Sequence, residues 1–422
     1  MSGWTSTKLG ELISITRGTT YKSLLLDQPG PVLLGLASIQ RDGGFRGDKL
    51  RTYGGESPEK LLVRPGQLYA SLKDVTQSGD LLGSVARVPK PGPVGRLSQD
   101  TVRLDFISDK VLPDFLYLAL LGPRYRAWCR QHATGTTNLG LPRDDFLAFE
   151  VVHPADKAGQ HNVASVLNAI DGLIENNRRR VEVLEEMARA IYREWFVKFR
   201  YPGHEDVPLV DSALGPIPEG WGVKHLAEIA KVNGSSRKPA TDEVFRYLDI
   251  TALSEREIGD LDAVDGADAP GRARRVLSPG DTVWATVRPN RRAHALVVAP
   301  GEDWIASTGL AVLTPTSVSS TFLFETVSTS AFSDWLVGRA TGSAYPAVRA
   351  NDFEEAMIVA PDSRVDAVFA EKVGPMHALS WKLRAECSAL AGLRDLLLPK
   401  LVTGHIDVST LDLDALVEDR VA

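Results

Sequence analysis

The longest regularity in the chain is a heptad. Val163, Leu167, Ile170, Ile174, Asn177, Val181, Leu184, Ala188, Ile191 and Trp195 follow one another in steps that alternate four and three. That spacing places one apolar seam on a helix that pairs with another helix. It predicts a helix over 156–200, ~65 Å long at 1.5 Å per residue. A less regular seam follows near the C-terminus: Phe369, Val373, Met376, Ser380, Leu383, Cys387, Leu390, Arg394, Leu397 and Leu401. Ser380 and Arg394 interrupt it, and Gly374-Pro375 should kink or delay that helix. Asn177 has two readings. Either it fixes register at a cost in stability, or it is a frayed, partly exposed position.

Ahead of each seam lies a long region of short alternating runs punctuated by Gly and Pro, such as "QPGPVLLGLASI" and "PKPGPVGRLSQDTVRL". This pattern predicts a β-rich globular unit with a few helices. "PDFLYLALLGPRYRAWCRQH", from Pro113 to His132, reads as one helix, with Phe115, Leu118, Tyr125 and Trp128 on a helical period. "TFLFETVSTSAFSDWLVGR" is its counterpart further on.

The two regions are copies. "ATGTTNLGLPRDDF" (Ala133 to Phe146) returns 207 residues later as "ATGSAYPAVRANDF" (Ala340 to Phe353). "WTSTKLGELISI" matches "WGVKHLAEIAKV", and "RPGQLYASLK" matches "SPGDTVWATVR" after one inserted residue. Between the copies, "RYPGHEDVPLVDSALGPIPEGW" reads as an extended linker with little helix or sheet. The expected layout is a globular domain over 1–154, a long helix over 155–200 and a linker over 201–220. A second globular domain follows over 221–361, then a long helix over 362–404 and a tail over 405–422. The fold class is α+β, with a pseudo-two-fold internal repeat. Neither apolar stripe can stay in water, so the long helices should pair. The linker permits an antiparallel return, which would put the globular units at opposite ends of a rod.

Composition fits a globular protein: 422 residues, 43% hydrophobic and 24% charged. No apolar run approaches the ~18 residues of a spanning helix. The N-terminus lacks a basic segment followed by an apolar one, so a cytoplasmic protein with no membrane partner is expected. Cys129 and Cys387 read as free thiols. Charge is uneven: residues 1–150 carry a net +4 and residues 202–360 a net −8. Bulk charge does not coat nucleic acid here, so any DNA contact must use local basic loops.

Motifs for chemistry are missing. There is no G-x-x-x-x-G-K-[ST] phosphate loop, no N-P-P-[YF] or D-P-P-[YF] run and no G-x-S-x-G elbow. The eight histidines form no metal spacing. No catalytic residue, metal or cofactor is therefore assigned to this chain. Asp144-Asp145 and Glu354-Glu355 read as solvated or helix-capping acids. Arg178-Arg179-Arg180 reads either as a solvated helix face or as a phosphate grip.

Two related globular units at a fixed separation suit two related ligands at a fixed separation, and split DNA half-sites have that form. The helix phrases "LNAIDGLIENNRRRVEVLEEMARAIYREWFVKFRYPGHE" and "LAGLRDLLLPKLVTGHID", with "PIPEGW" before the second unit, resemble the DNA-specificity (S) subunits of Type I restriction-modification systems. The resemblance covers essentially the whole chain. It implies two target recognition domains separated by two antiparallel helices, and a bipartite DNA target with a fixed nonspecific gap. It also implies a non-catalytic subunit. Such a subunit docks two modification (methyltransferase) subunits that use S-adenosylmethionine, and restriction (nuclease/translocase) subunits that need ATP and magnesium. A two-lobed interaction scaffold without DNA binding is the alternative, favoured by the acidity of residues 202–360.

Residues for base edges should be Arg, Lys, Asn, Gln, Ser or Thr on projecting loops. "SLKDVTQSG" offers Ser71, Lys73, Thr76 and Gln77, and "TVRPNRRAH" offers Thr286, Arg288, Asn290, Arg291 and Arg292. Each follows a strand-like run, and each also reads as a plain surface hairpin. The repeated loop offers Thr136, Thr137 and Asn138 in one copy and Ser343 and Tyr345 in the other, beside flexible glycines. It either contacts DNA or joins a globular unit to its helix.

Overall fold

The computed structural model describes residues 3–408. The expected tail therefore lies outside the described residues from 409 onward. The chain forms an α+β fold that divides into two compact units. Among the described residues, one contains residues 3–173 together with residues 389–408, and the other runs from Ile174 to Ser388.

In the first unit a four-stranded antiparallel sheet has the order Ile13–Arg17, Thr101–Phe106, Leu68–Ser71, Val85–Arg87. Leu68–Ser71 is buried at every position, as an apolar central strand must be. A smaller sheet places Gly95–Leu97 parallel to Val32–Leu34 and antiparallel to Leu62–Val63. Trp4–Lys8 pairs with Glu150–Pro154 and brings the start and end of the lobe together.

The second unit repeats this plan. Ala230–Val232, Leu310–Pro315, Thr282–Ala285 and His294–Leu296 form the four-stranded sheet, with Thr282–Ala285 again buried throughout. Val244–Leu248 lies parallel to Trp304–Ser307, which pairs antiparallel with Ala273–Val276. This copy adds the strand Ala263–Asp265. Gly222–His225 pairs with Met357–Ala360 as the closing ribbon.

The segment read as one helix over 113–132 is two, Pro113–Ala119 and Pro123–Gln131. Gly122 is extended and Pro123 starts the second helix, where a missing N–H does no harm. The counterpart also breaks, into Ser320–Val327 and Ser330–Arg339. Here side chains set the starts: Ser319 Oγ accepts from Phe322 N at 3.0 Å and Thr329 Oγ1 from Phe332 N at 3.2 Å.

The first long helix spans Lys157–Tyr192, ~54 Å rather than ~65 Å at 1.5 Å per residue. It continues as a π-helical turn, Arg193–Val197, and stops before Phe199, whose φ of 57° is left-handed. The second long helix, Ser363–Val402, runs through Gly374-Pro375 without a break. The expected interruption is absent; packing of Phe369 and Val373 on one side and Leu383 on the other carries the helix past the missing N–H.

Within each unit the two helices run antiparallel. In the first, Arg394 reaches Asp171 at 3.1 Å, which explains a charged residue in the seam, and Leu167 and Leu401 are buried in the lobe's core. In the second, Arg384 pairs with Glu185 at 2.8 Å and the Tyr192 and Phe369 rings lie 6.2 Å apart. Seam residues Ile170, Ile174, Val181 and Leu383 are buried, whereas Leu184, Ile191, Leu390 and Leu397 are half-buried. Asn177 is 4% exposed, so the frayed reading fails, and among the described residues its Nδ2 has no hydrogen-bond partner.

The linker is mostly irregular, with one short ribbon of Leu209–Val210 against Ile217–Pro218. Its ends are fastened by aromatic rings: Tyr201 stacks on Trp221 at 5.1 Å, and Phe196 and Phe199 each lie 5.6 Å from Trp221.

A charged cluster is buried in the second unit. Glu325 bonds Arg256 Nη2 at 2.5 Å and His377 Nε2 at 2.8 Å, while Arg256 also lies 3.7 Å from Glu185. Burial opposes ionisation of Glu325, but the His377 hydrogen bond and the Arg256 charge outweigh it and hold the carboxyl below its usual range. The cluster ties one lobe's hairpin loop to both long helices.

Two outcomes are expected. Asn177→Leu should raise the thermal midpoint, because it removes a buried unpaired amide whose desolvation costs about 1–3 kcal/mol. Glu325→Ala should lower stability by about 3–5 kcal/mol, since buried Arg256 would lose both of its carboxylate hydrogen bonds and keep only Glu185 at 3.7 Å. Thermal melts measure the first and denaturant unfolding the second.

Candidate nucleic-acid interface

The two loops singled out in each copy are far apart in sequence and joined in the structure. In the first lobe Lys73–Asp74 pairs antiparallel with Leu139–Gly140, and Leu141 N donates to Leu72 O at 2.9 Å. Thr134 and Gly140 exchange two hydrogen bonds of 2.8 Å that close the repeated loop into a hairpin. In the second lobe Val287 bridges Ala347, Val348 N donates to Thr286 O at 2.9 Å, and Thr341 and Ala347 exchange bonds of 3.0 and 2.9 Å. One two-loop surface is thus built twice by backbone hydrogen bonds. A tryptophan anchors each copy: Trp128 Nε1 donates to Asp145 O at 2.9 Å and Trp335 Nε1 to Asp352 O at 2.8 Å.

Glycine is required at the hairpin bends. Gly135 has φ 92° and Gly342 φ 101°, and a Cβ on Gly135 would fall 2.5 Å from Asn138 O. The bends lift Thr136, Thr137 and Asn138 in one lobe, and Ser343 and Tyr345 in the other, into exposed positions.

The other candidates divide. Gln77 and Thr76 are exposed, with Thr76 Oγ1 held by Asp74 at 2.8 Å. Lys73 is half exposed and pairs with Asp100 at 3.2 Å. Ser71 is fully buried and donates to the carbonyl of Lys73, so it braces the turn and cannot reach a ligand. Thr286 is half-buried, and its hydroxyl donates to Gly309 O at 2.9 Å, again a brace. Arg292 turns back into the lobe, to Ser328 O at 2.7 Å and Glu255 at 3.0 Å. Asn290 and Arg291 are exposed on the tight turn Pro289–Arg291. Arg288 lies 4.8 Å over the Tyr345 ring. Arg178 and Arg180 are exposed on the first long helix; Arg179 is exposed too and bonds Glu175 at 2.9 Å.

Sequence reasoning missed Arg17, Gln99 and Arg143. In the first lobe they line a groove with Lys73, Asp100 and Thr134. Residues 17, 99 and 143 come together only in the folded lobe. Arg143 did carry a signal, since it stands inside the repeated phrase. The groove concentrates positive charge beside the two-loop surface of the lobe whose net charge is positive. In the acidic second unit, positive charge concentrates at 288–292.

His294 pins the far end of the second lobe's loop. Its ring stacks on Trp284 at 4.9 Å, and its Nδ1 lies 2.6 Å from the carbonyl of Arg292. Burial pushes its pKa down to about 3, and the charges of Arg256 and Arg292 add to that shift. Among the described residues no group of His, Cys, Asp or Glu could hold a metal ion, and no helix is long and apolar enough to cross a membrane. Cys129 and Cys387 are free.

A pH dependence follows from His294. The fold holds the ring neutral, whereas the unfolded chain takes up a proton below its ordinary value near 6.5. Stability should therefore fall as pH drops from about 6.5 toward 3, by up to ~1.4 kcal/mol per pH unit. His294→Phe keeps the stacked ring and should flatten this slope between pH 6.5 and 5 in thermal melts.

No protein-family model matches the chain. The Type I restriction enzyme MjaIX specificity subunit of Methanocaldococcus jannaschii is 23% identical over 309 residues, 72% of this chain and 71% of the relative. The crystal structure of the S subunit of a Type I restriction-modification system from M. genitalium superposes with a TM-score of 0.59 at 15% identity, covering 94% of this chain and 96% of that one. The fold is shared with that subunit, and the resemblance first read from the helix phrases is met again in a relative's sequence.

Proposed function

We propose that this chain, a relative of Type I specificity subunits in sequence and fold, is the sequence-reading subunit of a DNA-modifying assembly. One observation supports it most: the same two-loop surface is built twice on one backbone frame, with different side chains on each copy. A frame held by main-chain bonds leaves its side chains free to differ, as two distinct half-sites would require. In this reading the chain recognises a bipartite target, and the paired long helices serve as the spacer that sets the gap.

Affinity would come from Arg17, Lys73 and Arg143 on phosphates in the first lobe and from Arg291 in the second. Base edges would meet Gln77, Thr76 and Asn138 in one lobe and Asn290 and the Arg288–Tyr345 pair in the other. The chain would supply recognition and not catalysis. Methylation would belong to two docked modification subunits using S-adenosylmethionine, and cleavage to restriction subunits using ATP and magnesium. The net −8 of residues 202–360 favours the scaffold reading, in which the second lobe binds protein instead.

Titration of the chain, assembled with its modification subunits, against duplex DNA at several salt concentrations separates the two. A DNA reader loses affinity log-linearly with salt, and Arg17→Ala and Arg143→Ala should each weaken binding uniformly and reduce the slope by about one. Salt-independent or absent binding supports the scaffold.

A further inference from the structure

Among the exposed loops of the second lobe, Arg288 occupies an unusual position. Its φ is 53°, in the left-handed region where a non-glycine residue is strained. The hydrogen bond from Arg288 N to Pro346 O, 2.7 Å, holds the backbone there. Arg292, also left-handed, commits its guanidinium to Ser328 and Glu255. Arg288, half-buried, makes no such commitment: among the described residues its guanidinium has no ion pair or hydrogen bond, and it lies 4.8 Å over the ring of Tyr345. Tyr345 is itself 69% exposed, an aromatic ring left in solvent at a loop tip. Strain and exposure are thus both present around a cation that contributes no polar contact to the fold.

The geometry points to a guanine reader: we propose that Arg288, laid on the Tyr345 ring, recognises one guanine in the half-site of the second lobe. This rests on the DNA-reading function above. Stacking uses only the face of the guanidinium. Its N–H edge stays available, and that planar fork matches the O6 and N7 acceptors of guanine in the major groove. The ring limits the rotamers of a flexible side chain, so less entropy is lost when the fork engages. A lysine could sit over the ring but has no planar fork.

The first lobe has no equivalent. Leu72 and Thr286 accept matching hydrogen bonds from Leu141 N and Val348 N, so Asp74 stands where Arg288 does. Asp74 is fully buried, and its carboxylate accepts from Thr76 N at 2.7 Å, Thr76 Oγ1 at 2.8 Å and Leu81 N at 2.7 Å. Asn138 stands where Tyr345 does, 207 residues earlier. The first lobe therefore has no arginine at the matching place, and the contact proposed for Arg288 belongs to one half-site only.

The test is selection of bound duplexes from a random pool by the chain assembled with its modification subunits. Wild type, Arg288→Ala, Arg288→Lys, Tyr345→Phe and Tyr345→Ala are compared. Wild type should enrich a split site in which one half has a required guanine. Arg288→Ala and Arg288→Lys should lose about 10–100-fold of the preference for that base alone, with the other half-site unchanged. Tyr345→Phe should keep the preference and Tyr345→Ala should weaken it. The unchanged half-site reports that the variants are folded and assembled. A wild-type site whose bases are unaffected by Arg288→Ala overturns this inference and leaves the parent reading standing. So does a uniform loss of affinity with a salt slope smaller by about one, which marks a phosphate contact. No enrichment by wild type overturns both.

Discussion

Two helices of 36 and 40 residues each carry an apolar edge that their internal hydrogen bonds do nothing to cover. That uncovered edge is the constraint from which the architecture follows. Leu167 is completely removed from water only because residues from the far end of the chain, Leu401 and Val402, join the same core. In the other unit, Tyr192, Trp195 and Phe196 at the end of the first helix enclose Phe369 near the start of the second. Polar groups then specify what apolar burial leaves loose. Asp171 with Arg394 and Glu185 with Arg384 fix which turns face each other. The buried Arg256–Glu325–His377 cluster fixes how the second lobe meets its helices.

On that base each lobe repeats one device. A fully buried central strand, Leu68–Ser71 or Thr282–Ala285, aims the loop that follows it. A glycine-bent hairpin from much later in the lobe then staples that loop by main-chain bonds. Because the staple is backbone, the two copies keep one shape while Asp74 and Arg288 stand at matching places with opposite charge. The frame and the exposed side chains are separable in this sense, and the brace residues Ser71 and Thr286 belong to the frame.

Periodicity exposed the architecture because it is a statement about burial. The four-three steps from Val163 to Trp195 located the first long helix, and the repeated phrase located the second lobe. Local chemistry misled where tertiary packing prevailed. Pro375 did not interrupt its helix, and one apparent helix was two because Pro123 starts anew after extended Gly122. The site was legible as two loops but not as one surface. Nothing along the chain says that residue 73 will lie beside residue 140, or that Arg17, Gln99 and Arg143 will share a groove. Nor does a loop's composition say which hydroxyl turns inward, so Ser71, Thr286 and Arg292 read like ligand contacts and are braces.

The unit that begins the chain is completed by its end. Leu401, Val402 and Val408 enter the core that Leu9, Leu12 and Val163 started, and Asn162 Nδ2 donates to the carbonyl of Val408 at 3.3 Å. Among the described residues, the core clusters of the unit between Ile174 and Ser388 are drawn from within that span. During vectorial synthesis the lobe that emerges first from the ribosome has an open flank while more than two hundred residues are added. A premature stop ahead of Ala389 would leave Leu9, Leu12 and Val163 without Leu401, Val402 and Val408 in their core. The first lobe of a newly made copy can therefore close only after residue 408 has left the ribosome.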